Sequence, residues 1–262
     1  MLRFYAASYG RLMYELSFVS AQVRSANHWG AAEDESADKK LLKHGLDQLQ
    51  NSLETLPLSD VVAFQAKSLI AKIDSYSPNE ATILLDSLSQ SITIDLASHL
   101  YLHINASKRT LFEQPEPVFG KQVADAFPIA SYDVSEAAKC VALERSTAAV
   151  FHLMRVTEAA LKAVAYYLSV EAPKNPNWGS WLRVMRDERL RRGGDWVDRE
   201  FLQDICARLD AIKDAYRNTA MHIDIIYTEE EAQDLFQQTK QFMKKIASRL
   251  DENGEPVNQQ SP

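Results

Sequence analysis

Cysteine is scarce: the 262-residue chain holds two, Cys140 and Cys206. Each sits inside an apolar helical pattern rather than in a spaced framework, which argues against a disulfide scaffold and against a cysteine-based zinc site. Long apolar runs are missing too, and none approaches the ~18 residues that a membrane span requires. The apolar N-terminus is broken by Arg11 and Glu15 and is followed by no small-residue cleavage site, so no signal peptide is expected and the expected location is cytoplasmic. There is no Gly-rich phosphate loop, no Gly-x-Ser-x-Gly elbow and no Cys-His nucleophile pattern, which removes the commonest nucleotide-hydrolysing and acyl-transfer sites. His99 and His103 share a four-residue spacing, but no acidic or cysteine cluster accompanies them. Neither a metal nor a cofactor is expected.

What is present is ordinary for a globular chain: 46% hydrophobic and 25% charged residues, enough for one large domain or two modest ones with a real core. The net charge of -7 is uneven. Residues 131–250 balance 18 Lys and Arg against 18 Asp and Glu, while the remainder sets 11 basic residues against 18 acidic ones. Bulk electrostatics therefore gives no attraction for nucleic acid, and any such binding needs a local basic patch. The run Arg183, Arg186, Arg189, Arg191 and Arg192 is the candidate RNA-binding patch. Its plainer reading is a solvated helix face with Asp187 and Glu188 as internal partners. Trp178 and Trp181, close by, could stack bases or simply bury the same segment.

Hydrophobic periodicity predicts an all-α protein, with a C-terminal antiparallel four-helix bundle preceded by an N-terminal helical region. In residues 1–130, Leu2, Tyr5, Tyr9, Leu12, Leu16, Val19 and Val23 recur at helical spacing, as do Leu42, Leu46, Leu49 and Leu53, with a loop expected between Asn27 and Asp38. A third helix is expected from Ser59 to about Ile73 and a fourth from Pro78, a favoured first-turn proline. These stripes are narrow and suit hairpin or coiled-coil packing. Leu100 to Ile104 could form a short strand, and the connection through Pro115, Pro117, Gly120 and Pro128 marks the expected boundary. In residues 131–250 one helix is expected from a capping box at Asp133 and Glu136, and a wide apolar helix carries Val150 to Leu168. A short helix is expected within Trp178–Leu190. Another helix runs from about Asp198 to near Met221, and the last follows a capping box at Thr228 and Glu231. Residues 251–262 are expected to form a disordered tail.

Two features carry possible chemistry. Glu158 shares a row with Phe151, Met154, Leu161 and Ala165, which puts a carboxylate on the face expected to meet the core. A buried carboxylate requires a cationic partner, for which Arg217, one position past Tyr216, is the candidate; a plain salt bridge fixing helix register is the alternative. His152 either packs at the edge of its helix or joins a polar network. The second feature is Arg217-Asn218-Thr219-Ala220-Met221-His222. Residues five apart on a straight helix point about 140° away from each other, so Arg217 and His222 can meet one ligand only if the helix ends between them or a second copy contributes.

The order of helices, Ala-Val-Phe-His-Leu-Met-Arg-Val-Thr-Glu-Ala-Ala-Leu-Lys at 149–162 and Arg-x-x-x-x-His at the end of a helix resemble the HEPN superfamily. More narrowly, residues from about 98 to 247 resemble a set of bacterial HEPN-like proteins with Phe-His-Leu-Met-Arg and with Arg-Asn-x-x-Met-His followed by Tyr-Thr-Glu-Glu-Glu-Ala. The first hundred residues lie outside the resemblance. It implies a metal-independent endoribonuclease of toxin or defence type, with a cleft formed where two protomers join their Arg-x-x-x-x-His motifs. The implied catalytic set is Arg217, His222 and Asn218, with Glu158, Arg155 and Tyr216 supporting. The implied partners are a second copy of the chain, an RNA substrate and a protein antitoxin or regulator, with no membrane and no DNA. Where some toxin members carry a modified tyrosine two residues after the histidine, this sequence has Asp224, so that mode of regulation is not expected. The alternative function is a non-catalytic interaction module or a nucleotide-binding module in which the same residues are structural.

Overall fold

A computed structural model describes residues 6–28, 35–56, 58–98, 103–114, 116–194, 198–217 and 225–257, apart from the side chains of residues 6–9, 25–28, 35–43, 55, 74, 78 and 217. The chain divides into two compact units, Met1–Leu102 and His103–Pro262. Among the described residues both are helical and neither contains a strand. No described helix is long and apolar enough to cross a membrane. The strand expected near Leu100 lies mostly outside the described residues, and His103 and Ile104 are not part of one.

The first unit contains α1 (Ala6–His28), α2 (Glu35–Thr55), α3 (Asp60–Lys72) and α4 (Pro78–Ala97). Its core uses a narrow seam from each helix: Leu12, Leu16, Val19 and Val23 from α1, Leu46, Leu49 and Leu53 from α2, Val62, Ala66 and Leu69 from α3, and Leu85, Leu88, Ile92 and Leu96 from α4. The steps of three and four are those of helices that meet along one line. Gly45 lets α1 and α2 approach closely, since a Cβ there would stand 3.0 Å from a Val19 methyl group. At the start of α4, Ser77 and Glu80 form a capping box that spans the first-turn proline.

The second unit begins with two short helices, α5 (Arg109–Glu113) and α6 (Lys121–Ala126). The larger ones follow: α7 (Ser131–Ala142), α8 (Ser146–Tyr167), α9 (Trp178–Arg192), α10 (Arg199–Ile212) and α11 (Glu229–Ala247). α8 is the axis, packed chiefly against α7 and α11. The three-residue link between α7 and α8 is a Schellman turn in which Glu144 takes the left-handed conformation, Arg145 N–H donates to Cys140 O and Glu144 N–H donates to Val141 O. So short a link folds the two helices back as an antiparallel pair. Lys108 holds the turn to the start of α11 through Glu144 and Glu229. The expected capping box at Thr228 and Glu231 opens α11.

Three expectations are corrected here. The Pro-rich connection is not a boundary, because Phe119, Val123, Ala126 and Phe127 are buried in the second unit's core, where Phe119 meets Phe236 edge-on at 5.3 Å. Nor does Asp133 cap a helix: α7 starts at Ser131, and the Asp133 carboxylate turns toward α8. The tail is ordered as far as Val257. After α11 the chain turns back so that Val257 N–H donates to Arg249 O, Glu252 N–H donates to Ala126 O and Ile129 N–H donates to the Glu252 carboxylate. Gly254 presses on α8, with φ +77° and room for no side chain, since a Cβ would lie 2.5 Å from the Tyr167 nitrogen and 2.7 Å from the Ala163 carbonyl oxygen. Gly254→Ala should therefore displace this clasp and lower stability by about 1–3 kcal/mol. Urea unfolding and hydrogen exchange of residues 249–257 would measure it, and an unchanged midpoint with unchanged protection would refute the clasp.

Candidate active site

Regular α-helical bonding in α10 stops at Ile212, and Lys213–Arg217 form a π-helical turn. Such turns alter the direction in which successive side chains leave a helix and are frequent at functional sites. The helix expected to reach Met221 has thus already changed its geometry by Arg217. The Arg217 side chain, Asn218 and His222 lie outside the described residues, as does Asp224. The two flanks are described, and they are tied together. Tyr227 Oη donates to the backbone carbonyl of Tyr216 at 3.2 Å, and the two rings lie 6.1 Å apart. Tyr227 N–H donates to Thr147 Oγ1 at 3.3 Å, in the first turn of α8. The sequence between Tyr216 and Tyr227, which carries the Arg-Asn-x-x-x-His motif, is therefore closed at its base. Tyr216 is half-buried with its hydroxyl pKa raised, first by burial and then by the charges of Asp234 and Glu231, so it keeps its proton at neutral pH.

Glu158 is not in the core. Its side chain is 40% exposed and pairs with Lys162, one turn along α8, at 3.1 Å. The apolar face of α8 runs through Val150, Leu153, Val156, Thr157, Ala160 and Val164, so Phe151 and Glu158 mark its edge rather than its middle. The polar residue inside that face is Thr157, which donates to Leu153 O within the same helix. The buried carboxylates among the described residues are Glu15 and Asp133. Asp133 accepts from Arg155 Nε at 2.9 and 3.0 Å and is bonded to His152 Nδ1 at 2.8 Å. Arg155, expected to support the site, is thus anchored on α7, and its pKa is raised by the Asp133 hydrogen bond and charge. Asp133 is the member that sequence reasoning missed, whereas His152 joins a polar network, one of the two places expected for it. The available signal was the row Ala130, Val134, Ala137 and Val141, which has Asp133 on its flank once the helix is started at Ser131.

The arginine run divides. Glu188 accepts from Arg191 Nε at 2.7 Å and from Arg192 Nε at 2.9 Å, and these two hold its carboxyl well below the usual range, at about 2. Arg192 also donates to Leu168 O at 2.8 Å. Arg189 turns inward beside Cys206, whose thiol pKa is raised by burial and lowered in part by that cation. Arg183 and Arg186 are exposed, with Arg186 facing Asp187 at 4.0 Å. Trp178 is buried and Trp181 packs on the core, so Trp178 offers no face to a base. Both cysteines are free thiols. Among the described residues no group of three or more His, Cys, Asp or Glu could hold a metal ion, and His99 lies outside them.

These contacts distinguish the two carboxylates. Asp133→Asn should lower stability by about 1–3 kcal/mol, because a buried charge-assisted set loses its centre. Glu158→Gln should change it by less than about 0.5 kcal/mol, as an exposed helix pair does. Equal effects in urea titrations would contradict the burial assigned to Asp133. Residues 123–250 match the family model of the HEPN domain. No curated protein and no solved structure matches the chain.

Proposed function

From the match of residues 123–250 to the HEPN family model, we propose that the second unit is a metal-independent endoribonuclease of toxin or defence type. In this reading it acts in the cytoplasm as a homodimer, with the two Arg217–His222 segments facing one cleft. The observation that carries the reading is the tie between Tyr227 and Tyr216 at the base of the motif, immediately after a π-helical turn. A motif that serves chemistry must be held, and here its two described flanks are tied together through a buried tyrosine.

The reaction is an internal transesterification. The ribose 2'-hydroxyl attacks the adjacent phosphorus, the 2' proton leaves, and the 5'-oxygen departs with a proton, giving a 2',3'-cyclic phosphate and a free 5'-hydroxyl. His222 moves a proton in this sequence, a task suited to imidazole near neutral pH. Arg217 binds the nonbridging oxygens as negative charge builds on the pentacovalent phosphorus. Asn218 orients the substrate or His222 through its amide. Glu158, tied to Lys162, is given no role in holding Arg217. DNA lacks the attacking hydroxyl and should resist.

Purified protein incubated in EDTA with mixed single-stranded RNAs should yield cyclic-phosphate ends. His222→Ala and Arg217→Ala, folded as judged by circular dichroism, should each lose about 100-fold or more in rate. Tyr227→Phe, which removes the hydroxyl tie to the Tyr216 carbonyl, should lower kcat several-fold. Absence of cleavage on every RNA by the wild type would end this reading in favour of a structural or nucleotide-binding module.

A further inference from the structure

We propose that Tyr132, Phe151, His152 and Arg155 form a subsite for one unpaired nucleotide of an RNA chain, organised by the buried Asp133 carboxylate. The substrate class rests on the ribonuclease reading above, whereas the subsite itself rests on a separate set of contacts. Arg155 gives its Nε–H to both Asp133 oxygens. The four Nη hydrogens then have no acceptor among the described residues, on a side chain that is 58% exposed. A guanidinium anchored in this way cannot swing back into the protein and presents its planar donor edge to solvent, the form that binds phosphate oxygens in pairs. His152 is held on the same carboxylate through Nδ1, which leaves Nε2 on the side of the ring away from that anchor.

Two aromatic rings complete the set. Tyr132 meets the His152 ring edge-on at 6.5 Å, Phe151 does so at 6.2 Å, and both are exposed. Exposed rings beside an outward-facing guanidinium match a base and its phosphate, since stacking accepts any base while the cation takes the backbone. Glu158 and Lys162, further along the same stripe of α8, neutralise each other and offer no second site for a charged partner. The location also fits. Thr147, which receives Tyr227 N–H at the end of the motif segment, is one turn before Phe151 and two before Arg155 on α8. That is about 6 and 12 Å along the helix axis, the range of neighbouring nucleotides on one strand.

The test is fluorescence anisotropy with labelled single-stranded RNA, using the full chain with His222→Ala so that the probe survives. Arg155→Lys keeps a cation for Asp133 but loses the fork, while Tyr132→Ala and Phe151→Ala trim exposed rings, and thermal melts confirm that each is folded. Each substitution should weaken binding by about fivefold or more. In the otherwise wild-type chain the same changes should raise KM and leave kcat unaltered. Unchanged affinity in all three variants overturns the subsite, whether or not the wild type cleaves RNA. If the wild type cleaves nothing but these variants still lose affinity, the ribonuclease reading fails and the subsite stands. If the ring variants instead split a dimer with affinity per protomer unchanged, a second copy covers this face and the subsite is overturned.

Discussion

The second unit depends on burying most of the circumference of α8. Eleven of its 22 residues are buried, among them Ala149, Ala160, Ala163 and Ala165, whose small side chains let neighbouring chain come close. The approach of Gly254 to the Ala163 carbonyl and the Tyr167 nitrogen shows how closely. A helix enclosed on so many sides has one narrow stripe left for polar groups, and here that stripe holds Phe151, Arg155, Glu158 and Lys162. Any chemistry on α8 must come from this stripe or from the helix ends. It is also the stripe that Asp133 reaches from α7, which explains how one buried carboxylate can fix both His152 and Arg155 without placing either in the core.

Features set by residues a few positions apart were legible in the sequence. The first-turn proline at Pro78 and the capping box at Thr228 and Glu231 need at most four residues, and the narrow seams of the first unit repeat often enough to fix their own phase. Wide apolar faces are harder. On α8 the rows through Leu153 and through Phe151 differ by less than a third of a turn, and both look apolar in sequence, so Glu158 was placed inside when it stands at the edge. Asp133 failed for the opposite reason. It has the residue type and spacing of a cap, but a tertiary partner 22 residues away competes for the carboxylate, and nothing local records that competition. The ordered turn after α11 is likewise held by Ala126, Ile129 and α8, none of them near it in sequence.

The motif itself was readable as residue types, whereas what frames it was not. Neither the π-helical turn nor the bond from Tyr227 to the Tyr216 carbonyl has a signature in the run Lys213 to Thr228. Their joint effect is thermodynamic. Closing a segment of about ten residues has an entropic cost that grows only slowly with length, and here the folded core meets that cost through a buried tyrosine and the α8 threonine. The capping box directly after Tyr227 removes the remaining freedom at that end by fixing where α11 starts.

On the described flanks of the motif, the core positions of α10 end at Ile212 and those of α11 begin at Ala232, with Tyr227 buried between them. At Asp133 the buried carboxylate is structural and a single buried hydrogen-bonding group sets the direction of polar side chains that the core does not use. That arrangement lets a bundle with a neutral charge balance present a cationic group at a chosen point without a basic surface.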